Sequence, residues 1–390
     1  MSARACRRLF CLAFSAVFVI TLISGCRIPS RPLWWPKPRS SARASSVGAD
    51  SRSQDRIPVV AKAWHPGMRQ LGVDIYWVNS PNDSDETVRA KARRIIDYAI
   101  SLNANSIAVS FPVYTHGLNS DTIYAKGDGT PSPARIAIFL AEAARSHIRV
   151  TLRPLLNEAV LIAQDPKAWR GVIEPTNRSA WFKSYVKLLL PYAAVAASGH
   201  AATFVIGTEL ESLEGDPRWA GLIHAIRSVY RGELLYDETY NEFQIHDINL
   251  PVSTFGVDAY PRFQLSDNAT VGQLASAWKA WLGTHTRTVR RRAILSEIGI
   301  AAVSGAYRNP GNWLGTKDDQ IVPVIQKKWY KAVCRAVSAE DMGGIYWWEA
   351  SFDANPANPY PYQGDRITFL ARPAQQEVKT CFGELGGSAI

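Results

Sequence analysis

Two glutamates in this sequence stand in matching contexts. Glu209 follows the uncharged apolar and β-branched residues 202–208, and Glu297 follows the similar run 293–296. Each run is typical of a β-strand that is buried on both faces. Strands of a parallel sheet present their carboxyl ends at one common rim, where α/β barrels place their reactive groups. Two carboxyl groups at that rim form a candidate general acid and nucleophile.

A glutamate at a strand end is more often a solvated or ion-paired residue, so the pair needs support from its surroundings. The sequence has 13 Trp and 15 Tyr, and several lie on predicted strand ends or in the loops that follow: Trp77, Tyr114, Trp169, Tyr260, Trp347 and Trp348. Each aromatic ring alone is better explained as part of the core or its edge. Several of them at the rim that carries both glutamates favour a cleft that binds the C–H faces of sugar rings.

The elements that would hold these residues alternate between apolar strands and amphipathic helices. Predicted strands cover residues 71–77, 105–111, 148–154, 202–208, 233–236, 254–260, 292–299 and 344–349. After the first strand, apolar residues recur at helical spacing: Val88, Ala92, Ile95, Ile96 and Ala99. Eight alternations predict an α/β fold, a single (β/α)8 TIM barrel over residues 61–375 with a C-terminal tail at 376–390, rather than a doubly wound sheet.

The amino-terminal residues are typical of an export signal. Three arginines precede the apolar residues 9–23, and the sequence Leu-Ile-Ser-Gly then leads to Cys26. This ending resembles a bacterial lipoprotein lipobox, which implies removal of residues 1–25 and lipidation of Cys26. A plain secretory signal or an N-terminal anchor helix is the alternative. Residues 26–60 are rich in Pro, Ser and Arg and predict a flexible tether. We therefore expect an exported protein, lipid-anchored to a bacterial membrane and facing the cell surface or the periplasm.

Several classes of function are disfavoured. Residues 1–60 hold ten Lys and Arg but two Asp and Glu, so most of the net charge of +10 lies outside the predicted barrel and does not indicate nucleic-acid binding. The sequence has neither a phosphate loop nor a dinucleotide-binding glycine fingerprint, and its seven histidines are scattered. We predict no cofactor, no metal ligand and a monomer. Cys334 and Cys381 predict either a disulfide or, for Cys334, a small buried side chain.

Six segments resemble glycoside hydrolase family 113. They are residues 169–173, 180–185, 206–212, 255–260, 295–299 and 372–374, which occur in order within residues 65–375. The resemblance implies a retaining (β/α)8 glycosidase with endo-β-1,4-mannanase activity on a polysaccharide. It makes Glu209 the acid/base and Glu297 the nucleophile. It also places Tyr260 near the nucleophile and either Trp347 or Trp348 under the sugar at the cleavage point, and we expect Trp169, Arg153 and Thr208 to contact substrate.

The sequence departs from the family pattern at sugar-contact positions. Thr208 stands where the wider clan has Asn, Ile300 where Tyr is common and Leu155 where a His is expected, while residues 236–240 are more acidic than expected. The catalytic pair is retained while its surroundings differ, which predicts hydrolysis with an altered glycan preference. Two alternatives stay open: a related hydrolase acting on another β-glycan of an exopolysaccharide or cell wall, and a non-catalytic glycan-binding lipoprotein.

Overall fold

A computed structural model describes residues 57–245, 250, 252, 254–311, 320–359 and 365–387 of the chain. The predicted signal segment, Cys26 and nearly all of the predicted tether lie outside these residues. Within them, no helix combines the length and the apolar character needed to cross a membrane.

The strands form a closed barrel. In chain order they are β1 (Gln70–Tyr76), β2 (Ser106–Thr115), β3 (Ile123–Tyr124), β4 (Arg149–Leu156), β5 (Thr203–Thr208), β6 (Glu233–Thr239), β7 (Phe255–Asp258), β8 (Ala293–Ile298) and β9 (Gly344–Ser351). Eight of them pair in parallel, and the β1–β2 and β1–β9 pairings close the ring. The short β3 pairs antiparallel with β2 and lies outside the ring. The predicted (β/α)8 barrel is confirmed, and its eight predicted strands correspond to all of these except β3.

Helices surround the barrel. They are α1 (Asp85–Ser101), α2 (Pro133–Arg145), α3 (Ala159–Gln164), α4 (Arg178–Ser198), α5 (Arg218–Arg227), α6 (Tyr240–Ile245), α7 (Val271–Leu282), α8 (Arg287–Arg292), α9 (Pro323–Ala339) and α10 (Pro373–Leu385). Residues next to the helix starts cap them. The Ser84 hydroxyl accepts a hydrogen bond from the Thr87 amide at the start of α1, and Thr270 and Gln273 form a reciprocal capping box at the start of α7. The apolar face predicted for α1 is buried.

The lower part of the barrel interior is filled by side chains that need glycines opposite them. Tyr346 points across the barrel, where its hydroxyl donates to Gln70 at 2.7 Å. A Cβ on Gly72 would lie 2.1 Å from that ring, so only glycine fits there. Higher up, a Cβ on Gly256 would lie 1.9 Å from the Asp237 carboxylate, so this second glycine leaves room for a buried charged group. The barrel interior is thus filled by packed side chains at the amino-terminal ends of the strands and is polar toward their carboxyl ends.

Ala61 holds the described chain near the amino-terminal end of the strands. The Ala61 amide donates to the carbonyl of Ser146, which lies just before β4, and the chain then runs into β1. At the other end of the chain, α10 includes most of the predicted C-terminal tail and packs on α9. A disulfide between Cys334 and Cys381 joins these two helices. The carboxyl-terminal end of the barrel is left open for a site.

Candidate active site

Glu209 is the first residue after β5, at the carboxyl end of the barrel. Its amide donates to the Asp237 carbonyl at 2.8 Å, which fixes it to the neighbouring strand β6. Its φ of 52° lies in the left-handed region that side chains other than glycine rarely adopt. Such backbone strain is retained mainly at functional sites, where surrounding contacts hold it in place.

Arg170 holds the Glu209 carboxylate from the side. It lies in a 3-10 turn (Arg170–Val172), and its Nη1 donates to Glu209 Oε2 at 3.0 Å. Glu158 in turn holds Arg170, accepting from its backbone amide at 3.0 Å and lying 3.1 Å from its Nε. Burial raises the pKa of Glu209 to about 8; the Arg170 charge opposes this, whereas the Glu297 charge adds to it. Glu209 therefore carries a proton at neutral pH.

Glu297 lies near the end of β8 and accepts a hydrogen bond on each carboxyl oxygen. Tyr260 donates its hydroxyl to Oε1 at 2.7 Å, and Arg153 Nη1 donates to Oε2 at 2.6 Å. Burial, reinforced by the Glu297 charge, raises the pKa of Tyr260 well above its ordinary value, so the phenol stays protonated and remains a donor. Both carboxyl oxygens of Glu297 are therefore held in place by donors.

Arg153 sits at the centre of a buried charge cluster. It is 1% exposed, and besides Glu297 it contacts Asp237 at 2.7 Å, Asp258 at 2.5 Å and Asp74 at 3.6 Å. Burial raises the pKa of all three aspartates, to about 7 for Asp74, although the arginine charge opposes this. One guanidinium cannot balance four carboxylates in a dry site, so the aspartates are driven toward the protonated form. Arg153 is thus shared between Glu297 and these aspartates.

A cavity of about 520 Å³ opens above this cluster. It is lined by both glutamates and by three of the predicted sugar-contact residues: Trp169, Tyr260 and Trp348. The Trp348 ring lies 5.4 Å from that of Tyr76, which also lines the cavity. Apolar ring faces beside the two carboxyls provide the mixed surface that sugars need.

Three predicted contact residues lie elsewhere. Trp347 points to the opposite side of β9, where it is fully buried and stacks on Tyr330 of α9 at 4.1 Å between ring centroids. Of the two tryptophans between which the sequence could not decide, the cavity therefore holds Trp348. Arg153 and Thr208 are buried and do not line the cavity. Arg153 bonds to Glu297 instead, and Thr208 faces Asp237 at 3.5 Å.

Other cavity residues were not predicted from the sequence. Arg170, Glu158 and Asn157 come from the segment after β4, and Arg262 and Asn309 come from the loops after β7 and β8. Arg170 directly follows Trp169 within a segment that resembles the family, and this position was the available signal. Within the described ranges, no group of three or more His, Cys, Asp or Glu side chains is arranged to hold a metal ion.

Comparison with known proteins gives a consistent result. Residues 81–361 match the sequence model of Glycoside Hydrolase Family 113. The fold is similar to that of a β-mannanase of this family from Alicyclobacillus acidocaldarius, with a TM-score of 0.66 and 18% identity over 82% of this chain and 98% of that one. A structure described as a GH113 β-1,4-mannanase complex gives a TM-score of 0.67 with 17% identity over 81% and 99% of the two chains. No curated protein matches the chain.

Proposed function

Because the chain belongs to glycoside hydrolase family 113 and is therefore a glycoside hydrolase, we propose that it cleaves a β-1,4-mannan-like backbone with Glu209 and Glu297. One observation carries this proposal. The two carboxyls line one cavity in different surroundings, with the pKa of Glu209 raised to about 8 and Glu297 bonded by two donors. The similar structures are described as β-mannanases, which supports the choice of backbone.

The first step uses both groups at once. Glu209 donates its proton to the glycosidic oxygen while the Glu297 carboxylate attacks the anomeric carbon. The bond to the leaving sugar breaks and an ester to Glu297 forms. As the charge on Glu297 is consumed, Tyr260 and Arg153 keep its carboxyl in place for attack from one direction.

The second step reverses these roles. Esterification removes the negative charge that helped to raise the pKa of Glu209, so Glu209, which has already given its proton to the leaving sugar, stays ionised beside Arg170. It then takes a proton from water, whose oxygen attacks the anomeric carbon and releases Glu297 as a carboxylate. The product keeps the configuration of the substrate, which requires a carboxyl separation of about 5–5.5 Å.

Two alanine variants test these roles. Glu297→Ala abolishes turnover of β-1,4-mannan and of an activated aryl β-mannoside, and azide restores some turnover with inverted product. Glu209→Ala is severe for mannan, whose leaving sugar needs a proton, and mild for the formation of the glycosyl-enzyme from the aryl substrate. Burst kinetics separate that step from slow release of the ester.

The outcomes of these assays also distinguish the proposed function from its alternatives. Equal losses for both substrates in Glu209→Ala, measured on the first step, would reject the acid/base assignment. Hydrolysis of another β-glycan but not of mannan would reject the backbone. Absence of any hydrolysis by the native protein across β-linked polysaccharides would leave a glycan-binding protein in place of an enzyme.

A further inference from the structure

The cations of the cavity lining are not all paired. Three acids, Glu158, Glu209 and Glu297, and three cations, Lys167, Arg170 and Arg262, line the cavity. Arg170 lies 3.1 Å from Glu158 and 3.0 Å from Glu209, and Arg153 beneath the cavity lies 2.6 Å from Glu297. Within the described lining, Lys167 and Arg262 are therefore the cations that no acid of the cavity holds.

These two cations are not used by the protein itself. Both side chains are exposed, and within the residues that the structure describes neither has an ion pair or a side-chain hydrogen bond. Lys167 lies between α3 and the 3-10 turn of Arg170, and Arg262 lies two residues after Tyr260. They thus stand on two separate loops of one cleft, beside the segments that carry the groups around Glu209 and Glu297.

A neutral polysaccharide offers no charge to such a lining. Unpaired cations in a cleft attract anions from solution, and an arginine fork matches the geometry of a carboxylate. Resting on the proposed function, we propose that the glycan this enzyme cleaves carries uronic acid units, and that Arg262 and Lys167 bind their carboxylates beside the cleavage point. Trp348 and Trp169 contact the sugar rings, and the two cations select the carboxylates that the rings carry.

The test uses two substrates that differ only in charge: β-1,4-mannan and the same polymer partly oxidised at C6 to carboxylates. The native enzyme is expected to show a higher kcat/KM for the oxidised polymer, with a preference that falls as salt is added. Arg262→Gln and Lys167→Gln each lower the ratio of oxidised to neutral kcat/KM by about threefold to tenfold, the range for losing one typical hydrogen bond. Lys187→Gln, on the exposed outer side of α4, leaves the ratio unchanged.

The outcomes separate this inference from the proposed function. Cleavage of neutral mannan with no preference for the oxidised form, or a preference that neither substitution reduces, overturns the inference and leaves the proposed function standing. If neither polymer is cleaved, the proposed function fails, and calorimetry with oxidised and neutral mannohexaose decides the inference. Tighter binding of the oxidised hexamer that depends on Arg262 and Lys167 supports it; equal or absent binding overturns it.

Discussion

Replacing Arg170 by Met should move the alkaline limb of the pH–rate profile upward. The guanidinium lies 3.0 Å from Glu209 Oε2, and the two side chains are 12% and 16% exposed, so solvent screens their interaction only in part. A pair of charges at about 4 Å interacts by roughly 4 kcal/mol at an effective dielectric constant near 20. Removing this cation withdraws the main opposition to the raised pKa of Glu209, and the freed charge of Glu158 raises that pKa further.

The expected displacement of the limb is about one to three pH units above its starting point near pH 8. The direction follows from the proposed role of the group: as the general acid, Glu209 is expected to act when protonated, so kcat/KM for mannan oligosaccharides should fall as pH passes its pKa. The assay is kcat/KM against pH for the native enzyme and for Arg170→Met. Arg178→Met, which removes an exposed pair with Glu174, serves as the matched control.

An internal check comes from the leaving group. An activated aryl mannoside needs no proton for the first step, so its kcat/KM profile should lack the limb near pH 8 in both proteins. An unmoved limb in Arg170→Met, or one moved toward lower pH, would show that the arginine does not oppose protonation of Glu209. A limb of equal size with the aryl substrate would show that it belongs to a different group.

Three further predictions concern packing, stereochemistry and attachment. Gly256→Ala places a Cβ 1.9 Å from Asp237 Oδ1 and should lower the free energy of unfolding by about 1–3 kcal/mol in urea titrations. Gly221→Ala is the control: there is open space around this position in α5, so the substitution should raise the free energy of unfolding by about 0.5–1 kcal/mol. Equal effects of the two substitutions would contradict the crowding argument. NMR of the first product should show the β-anomer, and an initial α-anomer would refute the double displacement. Cys26→Ser should release the protein from bacterial membranes or stall its processing, and unchanged fractionation and mature mass would exclude lipidation there.

The barrel and the meeting of Glu209 and Glu297 at one cavity were predictable because each depends on a short, regular pattern. Apolar strands alternating with amphipathic helices indicated the barrel, and the two strand-end glutamates needed only the rule that parallel strands share a rim. The helix α10 was also readable, since Ala374, Val378 and Cys381 recur at helical spacing on its buried face. Val378 and Cys381 fall within the predicted tail of residues 376–390, for which no helix was predicted.

The charge cluster was not predictable, because it depends on how distant strands meet. Asp74, Arg153, Asp237 and Asp258 lie far apart in the sequence, and only closure of the barrel brings the carboxyl groups around one guanidinium. The choice between Trp347 and Trp348 could not be made for a related reason. Side chains alternate along β9, so Tyr346 inside the barrel puts Trp347 outside and Trp348 inside, but the apolar and aromatic residues of this strand do not show which set faces inward.

The chain joins the barrel at the amino-terminal ends of the strands, and the cavity opens at their carboxyl ends. Strands of 8 residues, such as β4 and β9, span roughly 26 Å at about 3.3 Å per residue. The contact of Ala61 with Ser146 thus lies about a barrel's height from the cleft, so it leaves the mouth of the cavity uncovered.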